Sequence, residues 1–369
     1  MNPPDHLLPV AIIGSGPTGI DAALGCLERG LSCVVLEQGD SAAAGVRQWG
    51  HVQMFTPWAR NLSDRIAAAM AQEGIAAPPP ERRPTGAEFV NECLAPLAAG
   101  AYLRPLIMTG TRVLHVGREG VTKEQEIGSE ARARRPFRLI VSRGGEESVV
   151  RARAVIDCSG ARALPNSLGD AGIPAPGEGA HDWAIAREIP DVATNPSEWA
   201  SLRVLLAGAG HSAQTAARAL APLVQSGGGH LTWVVRDTDP DWGAVEHDPL
   251  PARAALAEES HRIAAGVPAI TVRRGTVVES LRRSSAGIAL AMRTGAGHEE
   301  IEVDRVLALT GRVGDHTLYR QLQVQECYAT AGPMALAASL LGGPADCLAQ
   351  AAPSADVLRN PEPGFFLAG

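Results

Sequence analysis

Val10-Ala11-Ile12-Ile13-Gly14-Ser15-Gly16-Pro17-Thr18-Gly19-Ile20 is the stretch on which the fold turns. Its four apolar residues stop at Gly14, the pattern of a short buried strand. Ile20 to Arg29 is rich in Ala and Leu and ends at Gly30, as a helix does. Ser32 to Leu36 is a second apolar run. Strand, turn, helix and strand in this order open a doubly wound α/β sheet. The glycines have separate tasks. Gly14 permits the tight turn, Gly16 lets backbone approach a pyrophosphate at the helix N-terminus, and Gly19 lets helix and strand pack closely. Pro17 and Thr18 complete the turn and, with Gln38, are further cofactor-binding candidates. Glu37, followed by Gln38, ends the second strand about 20 residues on, where a carboxylate accepts ribose hydroxyls and repels a 2′-phosphate.

The unit recurs. Arg203 to Ala207 reads as a strand, Gly208-Ala209-Gly210-His211-Ser212-Ala213 as its turn, and Ser212 to Val224 as its helix. Gly227-Gly228-Gly229 makes the next turn, and Leu231 to Val235 the next strand. Ala213 stands in the third glycine position, which the pattern allows. The second strand ends at Arg236 instead of an acid, which suits a 2′-phosphate and favours NADPH over NADH. Asp237 and Asp239 weigh against this, and a surface arginine at a strand end is the plainer alternative. His211 either contacts the nicotinamide cofactor or simply starts the helix.

Outward from these units the signals are weaker. Gly45 to Arg60 loses periodicity and gathers Trp49, His51, Met54, Phe55 and Trp58. Ser63 to Gln72 and Thr85 to Leu97 read as helices, the latter with Thr85 and Glu88 spaced as a capping box. Val113–Val116, Phe137–Val141 and Ser148–Val150 predict a small antiparallel insertion. Ala154 to Ile156 is a strand running into Asp157-Cys158-Ser159-Gly160. Pro165 to Gly179, rich in Gly and Pro, is the linker candidate. Val303 to Leu309 predicts a late strand leading to Thr310-Gly311, and Gly364 to Leu367 a last one before Gly369.

The chain has 369 residues, 45% hydrophobic and 20% charged, with a net charge of −7. It is long enough for two cores. An acidic chain has no field to gather phosphate backbones, so nucleic acid is not an expected partner. The basic cluster Arg132, Arg134, Arg135 lacks interleaved aromatics and reads as a solvated loop. No basic segment precedes an apolar run at the N-terminus, and no apolar stretch is long enough to span a membrane, so neither export nor a membrane is expected. The cysteines Cys26, Cys33, Cys93, Cys158, Cys327 and Cys347 form no Cys-x-x-Cys pair. That points away from a disulfide scaffold and a structural metal, and toward the cytoplasm.

With two glycine turns, an Asp-Cys-Ser-Gly strand end between them and Leu309-Thr310-Gly311 after them, the chain resembles the two-dinucleotide-binding-domain flavoproteins. These include flavin-containing monooxygenases, thioredoxin-reductase-like enzymes and a bacterial subgroup of FAD-dependent oxidoreductases. The resemblance covers nearly the whole sequence. It implies an α/β fold of two Rossmann-like domains, the NAD(P) domain inserted into the FAD domain. The first part of the FAD domain would be residues 1–165, the NAD(P)H domain 166–305, and the second part of the FAD domain 306–369.

By the same resemblance Gly14, Gly16, Gly19 and Glu37 would hold FAD, and Gly208, Gly210, Ser212 and Arg236 NAD(P)H. Gly160, Gly311 and Gly369 would mark the two crossings and the last flavin-contacting turn. The segment Trp49 to Asn61 looks like one that lies near the flavin ring, which makes Trp58, Arg60 and Asn61 lining candidates, with a packed loop as the alternative. A helix follows the last turn in relatives. This sequence ends there, so the second FAD segment is expected to be truncated. A homodimer is expected by resemblance alone.

The Phe-x-Gly-x-x-x-His signature of flavin-containing monooxygenases is absent, as is the dithiol of thioredoxin reductases. Cys158 reads as a small buried thiol. Cys347 lies in a Gly/Pro-rich stretch. His51, His247 and Asp346 have no partner by spacing, so no acid–base role is assigned. Three functions follow. A monooxygenase would use NADPH, FAD and oxygen to hydroxylate a small molecule, a chemistry the flavin carries without a catalytic triad. A reductase or dehydrogenase would pass electrons to a protein, quinone or disulfide. A non-catalytic protein would bind a dinucleotide without turnover.

Overall fold

The computed structural model describes residues 8–160, 164–343, 350 and 354–368. Its α/β chain divides into two compact units, Met1–Ala163 with Val313–Gly369, and Leu164–Arg312. The second is thus inserted into the sequence of the first, and each carries a parallel sheet of Rossmann type.

In the first unit, β1 (Val10–Ile13) is buried along its length. Helix α1 (Pro17–Glu28) begins earlier than the apolar periodicity suggests, because Pro17 and Gly19 belong to its first turn. It buries Gly19, Ile20, Ala23, Leu24 and Cys26, each large aliphatic among them worth about 1.5–3 kcal/mol. Strand β2 (Cys33–Leu36) pairs with β1 in parallel register, Val10 beside Cys33 and Ile13 beside Leu36. The full order is Phe365–Leu367, Ala154–Asp157, β1, β2, Ile107–Met108. The expected capping box forms: the Thr85 side chain accepts from Glu88 N–H, and the Glu88 carboxylate accepts from Thr85 N–H at 2.7 Å. That helix passes through a π turn at Val90–Leu94 before Ala95–Ala99. Such a turn accommodates Pro96, which has no N–H to give to the ladder.

The second unit repeats this plan. Strand β3 (Arg203–Ala207), helix α2 (His211–Gly227) and β4 (His230–Val234) match β1, α1 and β2. The order is Ile185–Ala186, Arg305–Ala308, β3, β4, Ile270–Arg273. In both units the third strand leads into a three-stranded antiparallel sheet, and the chain then returns beside the first strand. The sheet Thr111–Arg118, Phe137–Arg143, Glu146–Ala152 was expected. Its counterpart Val277–Ser284, Gly287–Thr294, Gly297–Val303 was not. Its strands lack the alternation that would have announced it: Ile288, Ala289 and Leu290 are buried in succession, and Gly297–Val303 carries three glutamates.

Three expectations are corrected. Val303 to Leu309 is not one strand: Val303 closes the antiparallel sheet, Asp304 turns the chain, and Arg305–Ala308 pairs with β3. The second unit therefore extends to Arg312, beyond residue 305. The stretch Pro165 to Gly179 is no loose linker. Buried Glu178 accepts from Leu168 N–H and Ala175 N–H, both at 2.9 Å, and Leu168 and Ala175 join the second unit's core.

The third correction concerns Arg132. It is fully buried on a one-turn helix, Glu130–Arg134, where it and Arg118 pair with the equally buried Glu362. A solvated loop was expected because its partner lies far along the chain. Arg134 is exposed, and Arg135 pairs with Glu126.

Candidate functional site

Each unit presents a glycine turn at the C-terminal edge of its sheet, where dinucleotides bind in folds of this type. Gly14 has φ +93°, and a Cβ there would lie 2.7 Å from the carbonyl oxygen of Cys158, the residue after the return strand. Gly208 has φ +124°, and its Cβ would lie 2.2 Å from the carbonyl oxygen of Leu309, at the equivalent place. Gly19 packs on the turn itself, since a Cβ would meet Gly14 O at 2.0 Å. Ala213 takes that position in the second unit and is buried.

The middle glycines differ from these. Gly16 has φ −68° and Gly210 φ −70°, ordinary values for any residue. A Cβ at either would meet nothing within 4 Å. Both are N-cap residues without a capping side chain, where Ser, Thr, Asp or Asn would normally stabilise the helix. Neither backbone strain nor packing calls for glycine here. The space in front of each helix N-terminus, with its unpaired N–H groups, suits an anionic ligand approaching the backbone.

Glu37 is buried at the end of β2. Its Oε2 accepts from Ser15 N–H at 2.9 Å and Ser15 O–H at 2.6 Å, and its Oε1 accepts from Gly39 N–H at 2.8 Å. Of the roughly four lone-pair positions of a carboxylate, one on Oε1 is left for a ligand hydroxyl. Pro17 occupies the first turn of α1, and Thr18 and Gln38 are exposed. Gly160 has φ +102° with open space around it, and Gly311 has φ +96°. Asn166 Nδ2 donates to Thr310 O at 3.1 Å, fastening the strand end before Gly311.

Within the aromatic segment, Trp58 departs from its flavin-lining expectation. Trp58 is 1% exposed and packs edge-on against Phe89 at 5.5 Å, with the Arg82 guanidinium over its ring. It is a core residue, and its ring presents no face to a ligand. Asn61 exchanges hydrogen bonds with Thr56 and closes its own loop. Arg60 is exposed. Gly369, Asp346 and Cys347 lie outside the described residues.

At the second turn, His211 is the first residue of α2 and Ser212 beside it is exposed. Burial pushes the His211 imidazole below its ordinary pKa, the Arg253 charge adds to this, and Asp248 opposes it. Arg236 is exposed just beyond β4. Register places Val234 beside Arg273, so exposed Arg274 follows at the same sheet edge. Sequence reasoning missed Arg274, because only the pairing of β4 with Ile270–Arg273 brings the two arginines to one edge.

A cluster of titratable groups was also missed. Asp157 ends the first unit's return strand and is buried. Burial pushes its carboxyl up, the Ser159 N–H bond at 2.9 Å opposes this, and the charges of Asp315 and Glu326 add to it. Tyr319 is raised by burial and by its hydrogen bond with Glu326. His316 Nδ1 contacts Glu326 and lies 3.2 Å from the Tyr319 hydroxyl. Cys158 is buried, and burial with the nearby Asp157 charge pushes its thiol up to about 12.

The model of the pyridine nucleotide-disulphide oxidoreductase family matches residues 8–328. No curated protein matches the sequence. Among solved structures, the bacillithiol disulfide reductase of Bacillus cereus is 19% identical, with 98% of this chain and 90% of that one covered and a TM-score of 0.64. The FAD-bound cadaverine monooxygenase of desferrioxamine biosynthesis from Erwinia amylovora is 14% identical, with coverages of 88% and 83% and a TM-score of 0.61. Thioredoxin reductase of Lactococcus lactis is 16% identical, with coverages of 98% and 89% and a TM-score of 0.54. At these identities the likeness is one of fold, and the fold is shared by monooxygenases and reductases alike.

Proposed function

The chain belongs to the pyridine nucleotide-disulphide oxidoreductase family, and on that footing we propose that its first unit holds FAD, its second holds NADPH, and that it is a monooxygenase acting on a small molecule. The observation that carries the two-cofactor reading is the pair of middle glycines, Gly16 and Gly210, which neither strain nor packing requires. When bound, the two groups supply the redox chemistry, with NADPH as hydride donor and FAD as acceptor. The protein's part is to bind and orient. Gly16 and the N-terminus of α1 take a diphosphate, and Glu37 Oε1 takes a ribose hydroxyl. Gly210 and the N-terminus of α2 take the second diphosphate. Arg236 and Arg274 take a 2′-phosphate, which favours NADPH over NADH.

The monooxygenase reading rests on the thiols of the described residues, all of them buried except Cys327. Cys158, beside the first glycine turn, is buried and held protonated at neutral pH. Disulfide exchange needs a thiolate with access to its partner. Cys26, on α1, and Cys33, on β2, hydrogen-bond to each other, which brings the Cys26 thiol down to about 7, but both are buried in the core. The Cys327 thiol is half-buried and lowered chiefly by its hydrogen bond with the Thr330 side chain, a partner three residues along its own turn.

The test begins with the visible spectrum of the purified protein, with and without added FAD, followed by NADPH under nitrogen. Flavin absorbance that bleaches supports both sites. Readmitted air should then give oxygen uptake matched by a hydroxylated product. Oxygen-independent turnover with a disulfide, quinone or protein acceptor would assign a reductase instead. A protein that stays colourless at excess FAD would leave a non-catalytic dinucleotide binder.

A further inference from the structure

We infer that Gln214 and Trp233 are positioning residues of the second nucleotide site, two buried donors that turn the Gly208–Gly210 backbone so that its N–H groups face a diphosphate. The inference rests on the proposed binding of NADPH in the second unit. Trp233 Nε1 donates to Gly208 O at 2.8 Å, and Gln214 Nε2 donates to Ala209 O at 2.8 Å. Two consecutive carbonyls of one turn are therefore held by side chains. A trans peptide is planar, with its C=O and N–H pointing to opposite sides. Fixing Gly208 O inward directs Ala209 N–H outward, and fixing Ala209 O inward does the same for Gly210 N–H. Among the described residues neither N–H has an acceptor, and the space beside Gly210 is open.

The orientation of the Gln214 amide is itself determined. The same Nε2 donates to Trp242 O at 2.8 Å, so that end of the amide faces two carbonyl oxygens. The opposite flip would place oxygen against both. Ser260 Oγ lies 3.2 Å from Oε1. Gln214 is 1% exposed and Trp233 fully buried, so the donors are held without competition from water. The Trp233 and Trp242 rings pack at a 50° tilt with centroids 4.6 Å apart, tying the loop after β4 to the same turn.

The first turn is built differently. There the N–H of Ser15, the counterpart of Ala209, is used by Glu37. The second turn thus offers an anion one backbone donor more, in the concave arrangement that binds phosphate.

The experiment measures dissociation constants by calorimetry for the full chain, wild type against Gln214→Met and Trp233→Phe. Gln214→Met keeps the volume and removes the amide; Trp233→Phe keeps a ring and removes the donor. The ligands are NADP⁺ and adenosine 2′-monophosphate, which lacks the diphosphate. Each variant is expected to bind NADP⁺ about 5–10-fold more weakly, the size of one lost hydrogen bond, with adenosine 2′-monophosphate and FAD content unchanged. NADP⁺ binding unchanged in both variants would overturn the inference and leave the two-cofactor reading standing. Equal weakening of both ligands would also overturn it, as a purely structural effect. A wild-type chain that binds neither ligand would overturn the underlying reading and the inference with it.

Discussion

Replacing Glu362 by Gln should remove a large share of the first unit's stability. The carboxylate is fully buried between two arginines. Oε1 accepts from Arg118 Nε at 2.7 Å, and Oε2 from Arg132 Nη2 and from Gln323 N–H, both at 2.8 Å. Arg118 is further held by the carbonyls of Arg135 and Pro363, and Arg132 by those of Thr122 and Gln125. An amide in place of the carboxylate would keep the shape and deprive two buried guanidiniums of the countercharge they share. Breaking a buried pair in this way costs about 3–5 kcal/mol, against a total stability of roughly 5–15 kcal/mol for a domain. At about 2–4 °C per kcal/mol for a unit of roughly 150–250 residues, the Tm should fall by about 6–20 °C.

Differential scanning calorimetry at pH 7 measures this, repeated at high salt, which should change the difference little because the pair is shielded from solvent. Burial alone would raise the Glu362 pKa, but hydrogen bonds from Arg132 and Arg118 and from Gln323 N–H outweigh it and hold the group below its ordinary value. Its contribution is therefore present above the unfolded pKa and lost as pH falls through the folded one. The variant's stability should fall less steeply in acid than the wild type's. A Glu362→Gln protein within about 1 kcal/mol of wild type at pH 7 would refute the reasoning, since the arginines would then have found other compensation.

Gly16, the N-cap of α1, and Gly19, in its first turn, should respond differently to alanine. Gly16→Ala should leave thermal stability of the FAD-free protein nearly unchanged and lower flavin retention, whereas Gly19→Ala should destabilise it even without FAD, because its Cβ would meet Gly14 O at 2.0 Å; equal stability of the two variants in thermal melts would count against this assignment of roles. Arg236→Ala is expected to raise the KM for NADPH by about 10–100-fold, the range for a hydrogen bond to a charged group, and that for NADH far less; parallel changes for both cofactors in steady-state assays would exclude a 2′-phosphate contact. Asp157 is raised chiefly by burial, so its neutral form favours folding and that contribution is lost as pH rises through the folded pKa. Asp157→Asn keeps an acceptor for Ser159 N–H, and urea titration should find it at least as stable as wild type at pH 8, with a flatter decline toward alkaline pH; a variant clearly weaker at pH 8 would mean that the ionised carboxylate is the form the fold requires.

What the amino-acid sequence determined by itself is whatever local chemistry decides. The strand, glycine turn and helix around Gly14, and again around Gly208, follow from which residues tolerate a positive φ, fill a buried strand or start a helix. The Thr85–Glu88 capping box is local in the same sense, as is the last strand Phe365–Leu367.

Tertiary structure decided what depends on partners distant in the chain. Arg132 sits in a basic run and reads as solvated until Glu362, 230 residues later, arrives beside it. Trp58 was a ligand-lining candidate until Phe89 and Arg82 enclosed its ring. The second antiparallel sheet was hidden because its middle strand buries Ile288, Ala289 and Leu290 in succession, and with it the extent to which the second unit repeats the first. The donors that hold the Gly208–Gly210 turn carry no sequence signal, because a glutamine on an Ala-rich helix and a tryptophan in an apolar strand read as ordinary residues. Burial, which sets the value of a hydrogen bond or a charge, is a property of the whole fold.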